Sequence, residues 1–318
     1  MKKLYKTLLA CLLVVCCLTG LFACGNEDGG TIKTGLLCKK NVKTGLYTIT
    51  GYVDEDKGVT SLDIDKELKA LKGQDAVVGE IKAGAFKNNT TLKEVIVPNT
   101  VTKIGKGAFA GMQKLESLTL PFVGATRVAD AFEGETAKTE NKAIDSERSF
   151  GYIFGEEKFN YGAPVVFNYD AKNTITVYLP MSLSKVTISP RASDSGENSY
   201  AIPMYAFCGN AQVETIVLGE NVKRIGNSAF KNGVRTKDVY VNEIERIYDN
   251  AFDGCANLNY FGLEQAKVDG TIDLQNLLNE EVGANAFANL SEKVQYTVLA
   301  TFTDLQNIFD QTNFIRAN

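Results

Sequence analysis

The sequence predicts an α/β solenoid: stacked copies of one short unit, a short-stranded parallel sheet, capped ends and one inserted aromatic-rich segment. Two observations carry this. An alanine–phenylalanine pair returns as Ala85-Phe86, Ala108-Phe109, Ala131-Phe132, Ala206-Phe207, Ala229-Phe230, Ala251-Phe252 and Ala286-Phe287. Successive phenylalanines stand 23, 23, 75, 23, 22 and 35 residues apart, and a shared step of 22 or 23 is the mark of a stacked repeat. Second, apolar residues recur in phase six, nine and eleven places after the phenylalanine. They are Leu92, Val95 and Val97, then Leu115, Leu118 and Leu120, then Val213, Ile216 and Leu218, then Leu258, Phe261 and Leu263.

The last two residues of each triplet lie two apart, on one side of a short strand. Pro98 and Pro121 follow two of these strands, where a residue without an N–H ends pairing. Ile81, Ile104, Ile202, Ile225, Ile247 and Val282 each precede the alanine by four, which suits the inward face of a tight turn or short helix. One unit of this length cannot bury its apolar side, whereas stacked neighbours can, with phenylalanine over phenylalanine. Burial of each ring is worth about 1.5–3 kcal/mol.

Taken from the start, the chain opens with Lys2, Lys3 and Lys6, an apolar run from Leu8 to Leu21, and Leu21-Phe22-Ala23-Cys24. This reads as a signal peptide over 1–23, and its last four residues resemble a bacterial lipobox. That resemblance implies cleavage before Cys24 and acylation of its sulfur, which would anchor the protein to a membrane through buried methylenes. Residues 24–30 read as a flexible tether. Residues 31–80 read as an N-terminal cap, in which Leu46 to Val53 alternates as a strand and Val59, Leu62 and Ile64 repeat the apolar spacing. Repeats fill 81–132.

Leu183, Val186 and Ile188 restore the strand spacing 51 residues after Phe132, where six are expected. The surplus is an insert over 133–180. It begins as a polar stretch, continues through Phe150-Gly151-Tyr152-Ile153-Phe154-Gly155, and ends in two strand-like runs, Val165–Tyr169 and Thr174–Tyr178, a hairpin by pattern. Eight aromatic residues between 133 and 178 are too many for a disordered linker. Repeats resume over 181–298. The final step of 35 holds Leu274, Leu277 and Leu278, read as helical turns. Residues 299–318 read as a C-terminal cap, with helical spacing at Leu305, Ile308 and Phe309.

The run Leu92-Lys93-Glu94-Val95-Ile96-Val97-Pro98, with Val101, Ile104-Gly105, Ala108-Phe109, and Met112 and Cys255 three places past a phenylalanine, resembles the BspA-type leucine-rich repeat of bacteria. The resemblance spans roughly 59–298. It implies a leucine-rich repeat fold. It further implies a surface role in adhesion, with host matrix proteins or other bacterial surfaces as protein ligands, outside the cell membrane or outer membrane.

Composition excludes much else. Beyond residue 23 there are 31 basic and 38 acidic residues, a net charge of −7, and no basic cluster, which argues against a nucleic-acid partner. The sequence contains no histidine, which removes Ser-His and Cys-His nucleophiles and HExxH zinc sites. No C-x-x-C and no phosphate-binding glycine loop is present, so neither metal nor cofactor is expected. Asp54-Glu55-Asp56 and the pair Asp63 and Asp65 lack calcium-loop spacing and read as a solvated acidic turn. Cys24, Cys38, Cys208 and Cys255 follow the leader. Their odd count after acylation and their repeat positions favour buried free thiols.

What remains is the sheet's open face, eight and ten places after each phenylalanine. Glu94, Ser117, Thr215, Asp238, Tyr260 and Gln295 fill the first row; Ile96, Thr119, Val217, Tyr240, Gly262 and Thr297 fill the second. Tyr240 and Tyr260 fall on adjacent strands as one aromatic patch. With Asp238, Glu94, Thr119 and Thr215 they are the candidate ligand contacts, since tyrosine offers large contact area at low entropic cost. No catalytic grouping is visible. A non-catalytic binder is the first reading, and a structural spacer or assembly subunit of the cell envelope the second.

Overall fold

The computed structural model describes residues 34–54, 58–127, 146–168, 171–193, 199–275, 277–290, 294–297 and 314–316. Cys24, Phe132 and the stretch 304–313, read above as lipidation site, ladder ring and cap helix, lie outside these residues.

The strands are β1 (Thr34–Lys40), β2 (Tyr47–Asp54), β3 (Ser61–Asp63), β4 (Val78–Ile81), β5 (Glu94–Ile96), β6 (Lys103–Ile104) and β7 (Ser117–Leu120). After the insert come β8 (Gly162–Asn168), β9 (Thr174–Pro180), β10 (Lys185–Ile188), β11 (Tyr200–Ile202), β12 (Thr215–Leu218), β13 (Val222–Ile225) and β14 (Asp238–Tyr240). The last are β15 (Ile244–Ile247), β16 (Tyr260–Gly262), β17 (Thr271–Asp273), β18 (Leu277–Val282), β19 (Val294–Thr297) and β20 (Phe314–Arg316). Ten of them form a parallel sheet in the order β20-β19-β17-β16-β14-β12-β10-β7-β5-β3. Its inward residues come from the apolar triplets of the repeat: Val95, Leu118, Val186, Ile216 and Val239 are all fully buried, whereas Leu263 lies past the end of β16, at the start of a 3₁₀ turn, and is half-buried.

The isoleucines four places before the alanine lie in strands, not in turns or helices. They end β4, β6, β11, β13 and β15, which join two smaller sheets ordered β1-β2-β4-β6 and β11-β13-β15-β18. β-Branched residues at these short extended positions fit a strand better than a helix. Each unit is therefore strand, strand, turn. The one α-helix among the described residues is α1 (Ile64–Lys72), within the N-terminal cap. Asp63 accepts the Lys66 N–H at 3.1 Å as its N-cap, and Asp65 pairs with Lys69 at 2.7 Å. Two members of the acidic cluster thus start and brace a helix. Leu274, Leu277 and Leu278 also depart from the helical reading: Leu277 and Leu278 lie in β18, just after β17.

The phenylalanines stack. Ring centroids of Phe86 and Phe109 stand 5.4 Å apart at 4°. Phe207, Phe230, Phe252 and Phe287 continue at 5.1, 4.9 and 5.1 Å, tilted by no more than 7°. The turns beneath are joined by main-chain bonds from each phenylalanine N–H to the next turn's alanine carbonyl. They run Phe86 to Ala108 at 2.8 Å, Phe207 to Ala229 at 2.7 Å, Phe230 to Ala251 at 2.8 Å and Phe252 to Ala286 at 2.7 Å. The alanines are themselves buried, so a larger side chain would have to displace packed core. Two places before and after the ring the chain takes positive φ, at Gly107 and Gly111, at Asn250 and Gly254, and at Asn285 and Asn289. Glycine and asparagine tolerate that conformation best.

Between Phe109 and Phe207 the column is carried by the Gly-Tyr-Ile-Phe element. Phe154 stands 6.3 Å from Phe109 and 5.3 Å from Phe150, and Phe150 stacks on Phe207 at 4.8 Å. The Phe109 N–H donates to the Ile153 carbonyl, and the Phe150 N–H to that of Ala206. Residues 150–155 are therefore a turn of the solenoid, and the added antiparallel hairpin is β8–β9. Its inner side chains Val165, Phe167, Val177 and Leu179 are buried, and a Cβ on Gly151 would stand 2.9 Å from Phe167. The hairpin is a clasp whose inner face completes the core.

Replacing Phe150 with alanine should cost about 3–5 kcal/mol in urea unfolding, as should Phe230→Ala. A loss under about 1 kcal/mol for Phe150→Ala, with Phe230→Ala behaving as expected, would remove residues 150–155 from the shared core.

Candidate functional site

In-register pairing lines the outward residues into two rows. The first runs Ser61, Glu94, Ser117, Lys185, Thr215, Asp238, Tyr260, Thr271 and Gln295. The second begins at Asp63 and passes Ile96, Thr119, Thr187, Val217 and Tyr240 to Gly262. Neighbouring strands sit about 4.8 Å apart, so side chains in a row contact their neighbours.

Two regions differ in chemistry. Over β5 to β12 the face is open. Glu94 is exposed and accepts the Ser61 hydroxyl at 2.7 Å, while Thr119 and Thr215 are half-buried. Over β14 and β16 the face is covered. Tyr240 and Tyr260 are neighbours as expected, with ring centroids 5.9 Å apart, but Tyr260 is fully buried. Its ring lies across Gly262, where a Cβ would stand 2.7 Å from the Tyr260 hydroxyl, and φ is +151°, which favours glycine. The hydroxyl donates to the Leu263 carbonyl at 2.7 Å. Contact between Tyr260 and any ligand therefore requires the side chains around it to move.

The loop 263–270 that follows β16 is part of the twelve-residue surplus of the 35-residue step. It leaves β16 through a 3₁₀ turn, Glu264–Ala266, and returns Lys267 over the sheet. Lys267 Nζ lies 2.9 Å from Asp238 Oδ2, 3.3 Å from Asp269 and 5.9 Å from the centre of the Tyr240 ring. Asp269 accepts the Asn259 side-chain amide at 2.9 Å, and Asn259 Oδ1 accepts the Gly270 N–H at 3.0 Å. The hydrogen bond to Asp238 holds the Lys267 ammonium more firmly protonated than an ordinary lysine. Asp269 is held below the usual carboxylate range, first by the Asn259 amide and then by Lys267. Asp238 itself is 8% exposed, and its Oδ1 is buried without a hydrogen-bond partner. Lys267 was not among the candidates read from sequence, although the over-long final step was the signal that extra chain must loop out there.

Chemically the face is polar, with one charged, aromatic corner. No group of three or more metal-ligating side chains occurs among the described residues. No described helix is long and apolar enough to cross a membrane. Cys208 and Cys255 are buried free thiols, the latter donating to the Phe230 carbonyl at 3.0 Å, and burial pushes both up to about 12.

The repeat, the parallel sheet and its open face define a leucine-rich repeat protein, a class that uses extended surfaces for binding proteins. Residues 77–160 and 195–314 match the BspA type leucine rich repeat region in six copies, and the chain belongs to that family. Among solved structures, a T. pallidum leucine rich repeat protein is 17% identical, covering 83% of this chain and 90% of its own, with a TM-score of 0.36. A leucine rich cell surface protein from Faecalibacterium prausnitzii is 15% identical, covering 87% of this chain and 56% of its own, at 0.35. The pneumococcal vaccine antigen PcpA is 13% identical, covering 83% and 67%, at 0.27. No curated protein matches the chain in sequence.

Burial also raises Tyr52 and Tyr260 to about 12 from an ordinary 10, and the two thiols start from 9. All four are neutral in the fold, so the stability they hold is whole below the unfolded values and falls as pH rises towards about 12. Urea midpoints should drop between about pH 8 and about pH 11.5. An unchanged midpoint over that range would contradict the burial of these groups.

Proposed function

We propose that this protein is a non-catalytic, lipid-anchored binder on the outside of a bacterial cell, an adhesin that engages a protein ligand through the open face of its main sheet. The observation that carries this is the face itself. It is a row of in-register polar side chains, Ser61 to Thr215, ending at Asp238, Tyr240 and Tyr260. From β3 to β16 the face is seven strands wide and spans about 29 Å, enough to seat a protein surface or an extended peptide. Small hydroxyls and a few charges give adaptable hydrogen bonding, and tyrosine supplies the anchor. The anchor to the membrane is Cys24, read from the lipobox and acting through its acyl chains. Host extracellular matrix proteins and the surfaces of other bacteria are the partners proposed.

The chain from Gly25 onward should bind saturably to one or more members of a panel of matrix proteins and bacterial surfaces. Tyr240→Ala, checked for equal stability, should weaken that binding about tenfold or more. Binding unaffected by Tyr240→Ala would move the ligand site to the hairpin, whose outer side exposes Tyr161, Val166 and Met181. An absence of binding across the panel, with self-association instead, would favour the envelope-spacer reading.

Cys24→Ser should shift the protein from the membrane fraction to the soluble fraction of cells. Retention on membranes would remove the lipid anchor from the proposal.

A further inference from the structure

The covered corner of the sheet has an unusual occupant. Lys267 is carried there by the protein's own loop, and its ammonium sits between a carboxylate and the face of a tyrosine. A buried carboxylate needs a cation, and a tyrosine face attracts one through its ring quadrupole. Asp238, with Tyr240 beside it, is thus a cation site by chemistry. The fit of Lys267 is incomplete. It engages Oδ2 at 2.9 Å, while Oδ1 of the same carboxylate is buried without a hydrogen-bond partner. A single ammonium is a point donor. A guanidinium is a planar fork that can donate to both carboxylate oxygens at once and lie flat on an aromatic ring.

Three features bear on what replaces the lysine. The loop's hold on the sheet is polar: Lys267 to Asp238, and Asn259 to Asp269 and Gly270. Val268 at its tip is 60% exposed, so the loop buries little apolar surface there. The chain is acidic, with 38 acidic against 34 basic residues, which favours the approach of a basic partner.

We propose that Asp238 and Tyr240 form a recognition site for an arginine side chain of a protein partner, and that Lys267 fills it as an internal stand-in until the partner displaces it. The inference rests on the reading of the sheet face as the binding surface and adds the chemistry of the partner. Lys267 acts as an intramolecular competitor: apparent affinity for an arginine is reduced by the fraction of molecules in which the lysine occupies the site.

The test uses the purified protein and fluorescein-labelled glycine–serine peptides that carry a single arginine, a single lysine or a single citrulline. Citrulline keeps the shape of arginine without its charge. Binding is read by fluorescence anisotropy, and each variant is checked by thermal unfolding. Lys267→Ala should bind the arginine peptide at least about fivefold more tightly than the parent protein. It should prefer arginine to lysine and both to citrulline. Lys267→Arg, which keeps the site filled, should behave as the parent. Asp238→Asn in the Lys267→Ala background should erase the gain. Equal binding by the parent and Lys267→Ala, equal binding of arginine and citrulline peptides, or a gain that survives Asp238→Asn would overturn the proposal. Should Asp238→Asn fail to fold, the arginine–citrulline contrast on Lys267→Ala decides alone. A protein ligand lost in Tyr240→Ala but indifferent to Lys267→Ala would overturn this inference and leave the face-binding reading standing. Asp238-dependent arginine binding with no protein captured would uphold the site and count against that reading.

Discussion

The stacking of one phenylalanine on the next is the constraint from which the rest of the molecule follows. Regular ring-to-ring distances of 4.9–5.4 Å match the roughly 4.8 Å spacing of hydrogen-bonded strands. The ring column and the parallel sheet therefore advance with one pitch, and neither strains the other. That shared pitch explains the residues around the ring. The alanine carbonyl meets the N–H of the preceding turn's phenylalanine, and the alanine side chain is buried, so a larger one would overpack the core. The left-handed positions on either side tighten the turn enough for the chain to return within about 23 residues. Isolated, such a unit would expose its apolar side; stacked, it leaves the ladder rings buried.

The same constraint governs how the solenoid tolerates additions. Extra chain is admitted only where ring spacing and turn-to-turn bonding can be preserved. Between Phe109 and Phe207 the expected single ring becomes two, Phe154 and Phe150, tilted rather than parallel, and the main-chain bonds pass through Ile153 and Ala206. The hairpin β8–β9 then covers the side of that turn with Phe167 and Val177. Near the C-terminal end the solution is different. One coil contributes two strands, β16 and β17, to the main sheet against a single β18 in the smaller one, and Phe252 still stacks on Phe287.

What sequence reveals here divides along the same line. Wherever the period held, local pattern and tertiary structure carried the same information: Val95, Leu118, Ile216 and Phe230 could be placed in the core from spacing alone. The hairpin was legible too, because its alternation is local. Phe150 was not placed in the column, since its identity as a ladder ring depends on bonding to Ala206, far from it in sequence. The isoleucines read as inward, but their strands do not show in the sequence, because one buried residue per unit carries no periodicity from which strand and helix can be told apart. Tyr260 shows the limit for the candidate site. Its row and its neighbour Tyr240 follow from register, while its burial follows from where a twelve-place surplus of chain folds, and no spacing rule encodes that.

The chemistry of the face changes where the period breaks. A perfectly regular face presents the same small polar side chains strand after strand and can offer affinity only through area. The interruption after β16 brings a basic residue onto an acidic and aromatic pair, and so creates the one corner of the described face where charge, ring and buried carboxylate meet. Asp238 would be a costly residue to bury in a uniform repeat, because a lone carboxylate there would lack a counter-ion. The loop supplies one through Lys267, at the expense of leaving one oxygen unfilled. The repeat makes the protein stable along its length, and departures from the repeat give one corner of its face a chemistry the regular strands lack.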